Sequence, residues 1–212
     1  MVIETPEIYR EKVKPFIEKK RAEGTLSWMF NIIEGKTEAE VVIFRTEQGK
    51  AGQEGFLVLP DFNWDRKTME AMHLLGIVER RDIWSLRDLK KKHVEWLKHM
   101  RDRMVNATVE TYKEEGIEED QLKLYVHYQP TYYHFHIHIV HVALEGSFTQ
   151  AIGKAIGLDA IIAQLEGMAG AEEKGMESVE LRYTVGEKQE LWVDIFEPIK
   201  REKLQNRPSQ LQ

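Results

Sequence analysis

Three histidines alternate with apolar residues in the segment 133–140, which reads Tyr-His-Phe-His-Ile-His-Ile-Val. Successive side chains of a β-strand point to opposite faces, so a strand here places His134, His136 and His138 in one row. The aromatic and aliphatic residues between them point to the other face, where they can enter a hydrophobic core. The segment therefore predicts a strand with one apolar face and one row of imidazoles, and we expect it to be a catalytic strand.

Three interpretations of the histidine row compete. The first is a solvent-facing strand surface that is rich in histidine but has no specific role. The second is a metal site, since His-x-His on a strand can offer two imidazoles to zinc, although no acidic residue follows at short spacing and the chain has no cysteine. The third is phosphoryl chemistry with one imidazole as nucleophile, because an ordinary imidazole pKa of about 6.5 leaves much of it neutral at pH 7. The spacing alone does not decide between the last two.

The length and composition are those of one enzyme-sized domain, or of one domain with an appendage. The chain has 212 residues, of which 42% are hydrophobic, and this is ample for a core. No apolar run reaches the roughly 18 residues of a membrane span, and residues 1–6 lack the features of a signal peptide. We therefore expect a cytoplasmic protein, with the nucleus as a second location and no membrane partner.

The net charge of −6 bears on the choice of partner. Proteins that hold long nucleic acids usually present a basic face that neutralises several phosphates. The most basic run, Lys90-Lys91-Lys92, is typical of a solvated helix surface, and acidic groups are interleaved with the basic ones. These features predict a small nucleotide or a very short RNA as ligand, and no DNA.

The segment 125–138 resembles the signature of the scavenger mRNA decapping enzymes, a branch of the histidine triad (HIT) superfamily. The resemblance extends through 28–33, 55–61 and 80–89, and it covers roughly residues 26–196. A bare histidine triad is moderately specific, whereas the triad with these three partner segments in this order is highly specific. The resemblance implies an α+β fold with a HIT-like antiparallel sheet, flanking helices and a symmetric homodimer.

The resemblance also implies an activity and its catalytic residues. The family hydrolyses the triphosphate bridge of 7-methylguanosine cap dinucleotides or short capped RNA fragments, and it releases 7-methylguanosine monophosphate through a covalent nucleotidyl-histidine. No cofactor or metal is implied. Carried over to this chain, His136 is the nucleophile and His134 orients the row. His138 and His127 bind phosphate oxygens, and a hairpin that turns at Pro130 can bring His127 beside the row.

A cap-binding pocket is implied as well. The ring of 7-methylguanine carries a positive charge, so aromatic side chains attract it by stacking and cation–π contact. The resemblance assigns stacking to Trp28 and the opposite side of the base to Phe62. It assigns the guanine edge to Glu38 and a ribose hydroxyl to Asp61. The remaining substrate-binding candidates are Pro60, Asn63, Thr131, Tyr132 and Lys154.

Two positions depart from the family pattern. Asn63 stands where the family usually has a phosphate-neutralising lysine. Lys154 stands in place of an arginine, which keeps the charge but loses the bidentate geometry. We expect a connecting helix over 1–24, a catalytic domain over 25–196 and a polar C-terminal tail over 197–212. Family members usually carry a further N-terminal domain that closes over the substrate, and the first of these segments resembles only its connecting helix.

The remaining sequence predicts an α+β order of elements. Strands are expected over 26–34, 41–46, 56–59 and 178–185, and helices over 6–21, 67–78, from Ser85 to about Gly116, and 149–165. Ser85 and Asp88 have the spacing of a capping box, and Pro15 is expected to kink or divide the first helix. His73, His93 and His99 fall on predicted helices and His141 breaks the alternation, so none of them is assigned any chemistry.

Two other functions stay open. One is a HIT-family hydrolase or transferase that acts on diadenosine polyphosphates or nucleoside phosphoramidates. Trp28 together with Glu38 argues for guanine, because adenine lacks the N1–H and amino donors that a carboxylate would accept. The other is a non-catalytic cap-nucleotide-binding module, which Asn63 and the absence of a matching lid domain favour.

Overall fold

The computed structural model describes residues 1–24, 26–46, 55–146 and 148–206. Its main element is an antiparallel sheet with the strand order β2-β3-β4-β6-β5-β7. The strands are β2 (Phe44–Arg45), β3 (Phe56–Pro60), β4 (His73–Val78), β5 (Leu122–His127), β6 (His136–His141) and β7 (Ala155–Gly157). A second sheet pairs β1 (Val2–Glu4) with β8 (Leu181–Tyr183). The fold is therefore α+β, as predicted.

The helices flank this sheet. They are α1 (Pro6–Ile8), α2 (Lys14–Ala22), α3 (Ser27–Ile33), α4 (Val94–Thr111), α5 (Leu158–Gly167) and α6 (Glu197–Gln205). The predicted first helix is confirmed, and a π-helical turn over Tyr9–Val13 joins its two parts. This turn ends two residues before Pro15, which lacks an N–H and cannot continue a regular helix without local adjustment. In the described part of the chain, no helix is long and apolar enough to cross a membrane.

The two faces of the main sheet belong to different cores. One face, which includes Ile137 and Ile139, packs into the larger core with apolar residues of α4 and α5. On the other face, α3 lies over β3 and β4 and forms a smaller core that includes Ile77. Ile77 is paired with His136 in the β4–β6 ladder, so the two side chains share a face. The histidines therefore lie beside the smaller core.

Two elements around the smaller core differ from the sequence prediction. Residues 27–33 form helix α3, where we expected a strand, because Met29, Ile32 and Ile33 have helical spacing and are buried together. Residues 73–78 form strand β4, where we expected a helix. This strand is buried on both faces, so its sequence is a continuous apolar run that periodicity does not distinguish from a helix.

Three further expectations were wrong in part. The capping box of Ser85 forms, but it closes a single 3₁₀ turn, and α4 begins at Val94. The first half of the predicted helix over 149–165 contains strand β7 instead. The polar tail expected over 197–212, where no helix or strand was predicted, contains helix α6, which is stabilised by proline in its first turn and an ion pair one turn apart. Residues 207–212 of that expected tail lie outside the described residues. The predicted strands at 56–59 and within 41–46 and 178–185 are confirmed.

Candidate active site

The predicted histidine row forms at the start of β6. The strand begins at His136, and His134 lies two residues before it. All three histidines are buried, with exposed fractions of 0%, 5% and 6% for His134, His136 and His138. The predicted hairpin is also confirmed, since β5 lies antiparallel to β6 and pairs Tyr125 with His138. It brings the ring of His127 to 4.1 Å from that of His138, measured between centroids.

The backbone fixes the proton of His136. Its Nδ1 lies 2.8 Å from the carbonyl oxygen of His134. A carbonyl oxygen only accepts, so Nδ1 carries the hydrogen and Nε2 of the neutral ring carries a lone pair. Burial is the main cause that lowers the pKa of His136, to about 4, so the ring is neutral at pH 7. The ring of Tyr132 stacks on it at 4.3 Å. His136 therefore presents a neutral ring whose Nε2 lone pair is oriented and could act as a nucleophile.

Two other imidazoles are tied to backbone carbonyls through Nε2. His134 donates to the oxygen of Val78 at 2.6 Å, and His127 donates to the oxygen of Thr149 at 2.8 Å. This geometry fits the orienting role that we expected for His134. For His127 it leaves only Nδ1 for a ligand, and this nitrogen carries no hydrogen while the ring is neutral. The expected contact of His127 with a phosphate oxygen therefore requires a second proton on its ring.

A histidine that the sequence analysis excluded belongs to the same cluster. Nε2 of His73 lies 2.8 Å from Nδ1 of His138, and the Oδ2 atom of Asp61 is 4.0 Å from the same His73 nitrogen. We missed His73 because we placed it on a helix, whereas it lies on β4 opposite Val140 of β6. The available signal was Gly76, which is unfavourable inside a helix, and in the sheet a Cβ at this position would clash with the side chain of Met104.

The cluster consists of neutral imidazole rings with the Lys154 ammonium near His136 and the Asp61 carboxylate beside His73. Burial, followed by the neighbouring imidazoles, holds the pKa of His138 far below its usual range. Lys154, whose own pKa is lowered by burial, adds to the lowering at His127, His136 and His138. Its Nζ donates to the carbonyl oxygen of Gln129 at 2.6 Å. Lys154 is therefore the group that can attract an anionic ligand to these neutral rings.

Among the described residues, no group of three or more histidine, aspartate or glutamate side chains is arranged to hold a metal ion. His134 and His136 instead donate ring N–H groups to backbone carbonyl oxygens, and Nδ1 of His138 shares a hydrogen with Nε2 of His73. His134 retains a buried Nδ1 and His138 a buried Nε2 without a hydrogen-bond partner in the described structure.

The stability of the protein is expected to fall as the pH drops from about 6.5 towards 4. Burial lowers the pKa values of His127, His134 and His136 to about 4 in the folded state, whereas histidine in an unfolded chain titrates near about 6.5. Between these values the unfolded chain binds more protons, so the free energy of unfolding rises with pH and levels off above the upper value. Guanidinium unfolding at pH 5, 6, 7 and 8 measures this.

His136→Asn is the matched control for this pH dependence. Asparagine removes one buried imidazole, so the variant should lose stability less steeply over the same pH window. An equal slope in the variant and the parent protein would mean that His136 is not buried in its neutral form.

Two of the expected substrate-binding residues reach the cluster through one intervening ring. Trp28 lies on α3 with 46% of its surface exposed, and its ring meets that of Tyr132 edge-on at 5.4 Å. Tyr132 in turn stacks on His136. Asp61 reaches His138 through His73 in the same way. The structure thus brings Trp28, Tyr132 and Asp61 around the histidine cluster.

The other predicted binding residues lie further out. Glu38 is exposed on the turn between α3 and β2 and has a left-handed backbone, with φ 55°. Pro60 ends β3, and the next residue but one, Phe62, is 96% exposed. Asn63 donates from its backbone N–H and its side chain to Oδ1 of Asp61. The structure does not join Glu38 or Phe62 to the histidine cluster by any described hydrogen bond or ring contact.

A cavity of about 940 Å³ opens beside Tyr132. Its walls come from α2, the loop 129–133 and the segment 184–191. Four of the predicted substrate-binding residues line it, namely Trp28, Thr131, Tyr132 and Lys154. Volumes of roughly 300–1,000 Å³ are usual for small-ligand sites, so this cavity is large enough for a nucleotide.

Comparisons with known proteins agree on one family. The family described as "Scavenger mRNA decapping enzyme C-term binding" matches residues 27–153. The m7GpppX diphosphatase of Schizosaccharomyces pombe is 40% identical over 94% of this chain and 60% of that protein. Those of Caenorhabditis elegans and Homo sapiens are 35% and 31% identical, over 78% and 68% of this chain and 50% and 41% of theirs. The chain thus spans 60% or less of the length of these relatives.

One solved structure, described as Hnt3 in complex with DNA and guanosine, covers 84% of this chain and 97% of its own. Its TM-score is 0.43 and its sequence identity 11%. At this level of similarity it supports no statement about fold or function.

Proposed function

The chain belongs to the scavenger mRNA decapping enzyme family, and on this premise we propose that it hydrolyses the triphosphate bridge of 7-methylguanosine cap dinucleotides or short capped RNA fragments. The observation that carries the proposal is the hydrogen bond from Nδ1 of His136 to the carbonyl of His134, which leaves Nε2 as an oriented nucleophile. The relatives named m7GpppX diphosphatase support this substrate class.

In the first step, Nε2 of His136 attacks the phosphorus attached to 7-methylguanosine. An N–P bond forms, and the P–O bond to the second phosphate breaks, so a nucleoside diphosphate or an oligonucleotide ending in one leaves. The ring of His136 becomes cationic in this covalent state, and its Nδ1–H still donates to His134, which stabilises the charge.

In the second step, water attacks the same phosphorus and the N–P bond breaks. His136 regains its lone pair at Nε2, 7-methylguanosine monophosphate leaves, and a proton from the water passes to solvent. The contribution of the protein is to position the reacting groups and to stabilise charge at the transferring phosphate. Lys154, which acts electrostatically on His136, and the unpartnered Nε2 of His138 supply this stabilisation.

The base-recognition roles belong to the same proposal. Trp28 stacks on 7-methylguanine, and Phe62 covers the opposite side of the base. Glu38 accepts from the guanine edge, and Asp61 accepts from a ribose hydroxyl. The exposure of Trp28 and Phe62 supports these roles, since a large exposed aromatic side chain is free to contact a ligand. Pro60, Asn63 and Thr131 are the remaining proposed contacts to the substrate, and of these Thr131 lines the cavity.

A HIT-like fold and a symmetric homodimer are also part of the proposal. Several exposed apolar side chains support a second copy as partner, among them Ile3, Val142, Phe148, Ile152 and Val193. Light scattering during gel filtration measures the mass in solution, and a monomer at micromolar concentration contradicts the dimer.

The test of function uses three substrates side by side, each in the presence of EDTA. They are the methylated cap dinucleotide, its unmethylated counterpart and a diadenosine polyphosphate. Cleavage of the methylated dinucleotide to 7-methylguanosine monophosphate is the expected result. Preferential cleavage of the diadenosine compound would support the other HIT-family activity. Binding of the methylated cap without turnover would support a non-catalytic module.

Trp28→Leu is expected to raise KM for the methylated dinucleotide about tenfold to a hundredfold and to weaken its preference over the unmethylated one. Stacking of a base on an aromatic side chain contributes about 1–3 kcal/mol, and the charged methylated ring adds a cation–π term that leucine does not supply. Steady-state kinetics on both dinucleotides measure the effect. Trp192→Leu, at a half-buried tryptophan in the turn before α6, is the matched control. An unchanged methyl preference in Trp28→Leu contradicts the stacking role.

A further inference from the structure

We propose that His73 is a positioning residue, which keeps the proton of His138 on Nε2 so that this nitrogen donates to a substrate phosphate. The inference rests on the proposed function and adds a residue that lies outside the histidine row. His73 comes from β4 and reaches His138 diagonally across the β4–β6 ladder.

One hydrogen lies between the two rings. Nε2 of His73 and Nδ1 of His138 are 2.8 Å apart, so one nitrogen donates and the other accepts. If His73 donates, neutral His138 carries its own hydrogen on Nε2. If His73 accepts, the hydrogen of His138 is on Nδ1 and Nε2 has a lone pair. His73 thereby decides which of the two forms His138 adopts.

Asp61 favours the first arrangement. Its Oδ2 atom lies 4.0 Å from Nε2 of His73, and a carboxylate stabilises a hydrogen on the nearest ring nitrogen. Oδ1 of Asp61 is held by Asn63, which keeps the carboxylate in this orientation. His73 is therefore the donor, and His138 accepts at Nδ1.

The function of this arrangement follows from Nε2, on the opposite edge of the His138 ring. Its Nε2 is buried and has no hydrogen-bond partner in the described part of the chain. A buried donor without an acceptor costs free energy, which a phosphate oxygen would recover. With the hydrogen on Nδ1, the lone pair of Nε2 would face a lone pair of the phosphate oxygen, and the two would repel each other. Tyr125 stacks on the ring at 4.9 Å with an interplanar angle of 7°, which fixes the plane of the ring, and the 2.8 Å contact with His73 fixes which edge Nε2 occupies.

His73→Gln and His73→Met test the proposal as a matched pair. The two side chains have similar length, but glutamine has an N–H donor near the position of Nε2 and methionine has none. His99→Met, at an exposed position on α4, controls for the loss of a histidine elsewhere. Thermal unfolding midpoints show that each variant is folded.

The direct readout is the pair of ring ¹⁵N shifts of His138 in long-range ¹H–¹⁵N spectra of the substrate-free protein, with signals identified by their loss in His138→Asn. We expect a protonated Nε2 and an accepting Nδ1 in the parent protein and in His73→Gln. In His73→Met we expect this form to be lost or mixed, and kcat for the methylated dinucleotide to fall about tenfold, while His73→Gln stays within about threefold.

A hydrogen on Nδ1 of His138 in the parent protein overturns the proposal, and so does a His73→Met variant with the same ring shifts as His73→Gln. Equal kcat in the two variants also overturns it. The spectra need no substrate, so they remain decisive for His73 even if the parent protein fails to cleave the cap dinucleotide. That failure would count against the proposed function instead.

Discussion

His136→Asn is expected to lower kcat for the methylated cap dinucleotide by at least about 10⁴-fold, because removal of a catalytic nucleophile costs losses of this order or larger in other hydrolases. Asparagine suits this test, since its amide can still donate to the carbonyl of His134, as Nδ1 of His136 does. The substitution therefore removes the attacking nitrogen and keeps the local hydrogen bond. Single-turnover kinetics with excess enzyme measure the chemical step directly.

His99→Asn, at an exposed position on α4, is the control and should keep the activity of the parent protein. Binding of the methylated dinucleotide to His136→Asn should change by less than about tenfold, because the ring contributes its lone pair mainly to the transition state. A variant that retains more than a few per cent of the parent rate would exclude His136 as the nucleophile. Activity that is lost in EDTA would contradict the metal-free attack.

The histidine-bearing hairpin was predictable because its signals are local. The alternation around His136 has the period of a strand, and a turn at Pro130 returns the chain beside it. Once the register is fixed, the position of His127 follows from the ladder geometry. The identity of the candidate site could therefore be predicted from one segment of the sequence.

The hydrogen-bond partners of the imidazoles were not predictable in the same way. The oxygen that accepts from His134 belongs to Val78, 56 residues away in the sequence, and the oxygen that accepts from His127 is 22 residues away. Every residue has a backbone carbonyl, so the sequence does not show which carbonyl oxygen will accept a hydrogen bond. His73 was missed for a related reason, since β4 is buried on both faces and lacks the alternation that identifies a strand.

Long-range ion pairs are a second kind of interaction that could not be predicted from the sequence. Glu4 and Arg87 are 83 residues apart, and neither stands in a recognisable motif for pairing. Both are buried, with exposed fractions of 0% and 1%. Nε of Arg87 donates to Oε1 of Glu4 at 2.8 Å, and its Nη1 donates to the carbonyl oxygens of Met176 and Val179. This network joins β1 to the interior of the domain.

Arg87→Met is expected to lower the free energy of unfolding by about 3–5 kcal/mol, because it leaves the Glu4 carboxylate buried without its counter-charge and two carbonyls without a donor. The hydroxyls of Tyr128 and Tyr183 still donate to Glu4, but they do not supply a charge. A loss of this size is a large part of the 5–15 kcal/mol that is typical of a folded domain. Guanidinium unfolding at pH 7 measures it.

Arg201→Met is the matched control, since Arg201 pairs with Glu197 one turn away on the exposed surface of α6. An exposed pair of this kind contributes about 0.5 kcal/mol or less, so the same substitution should leave the unfolding curve nearly unchanged. Removing both charges with Glu4→Met and Arg87→Met should cost less than the sum of the two single losses, because no unpaired charge remains. Additive losses would mean that solvent reaches the pair. The hydroxyl of Tyr128 donates to Glu4, and the backbone N–H of Tyr128 donates to the carbonyl of Lys154. Because Tyr128 thus joins the ion pair to the segment that carries Lys154, breaking the pair should shift the whole unfolding curve and not only one part of it.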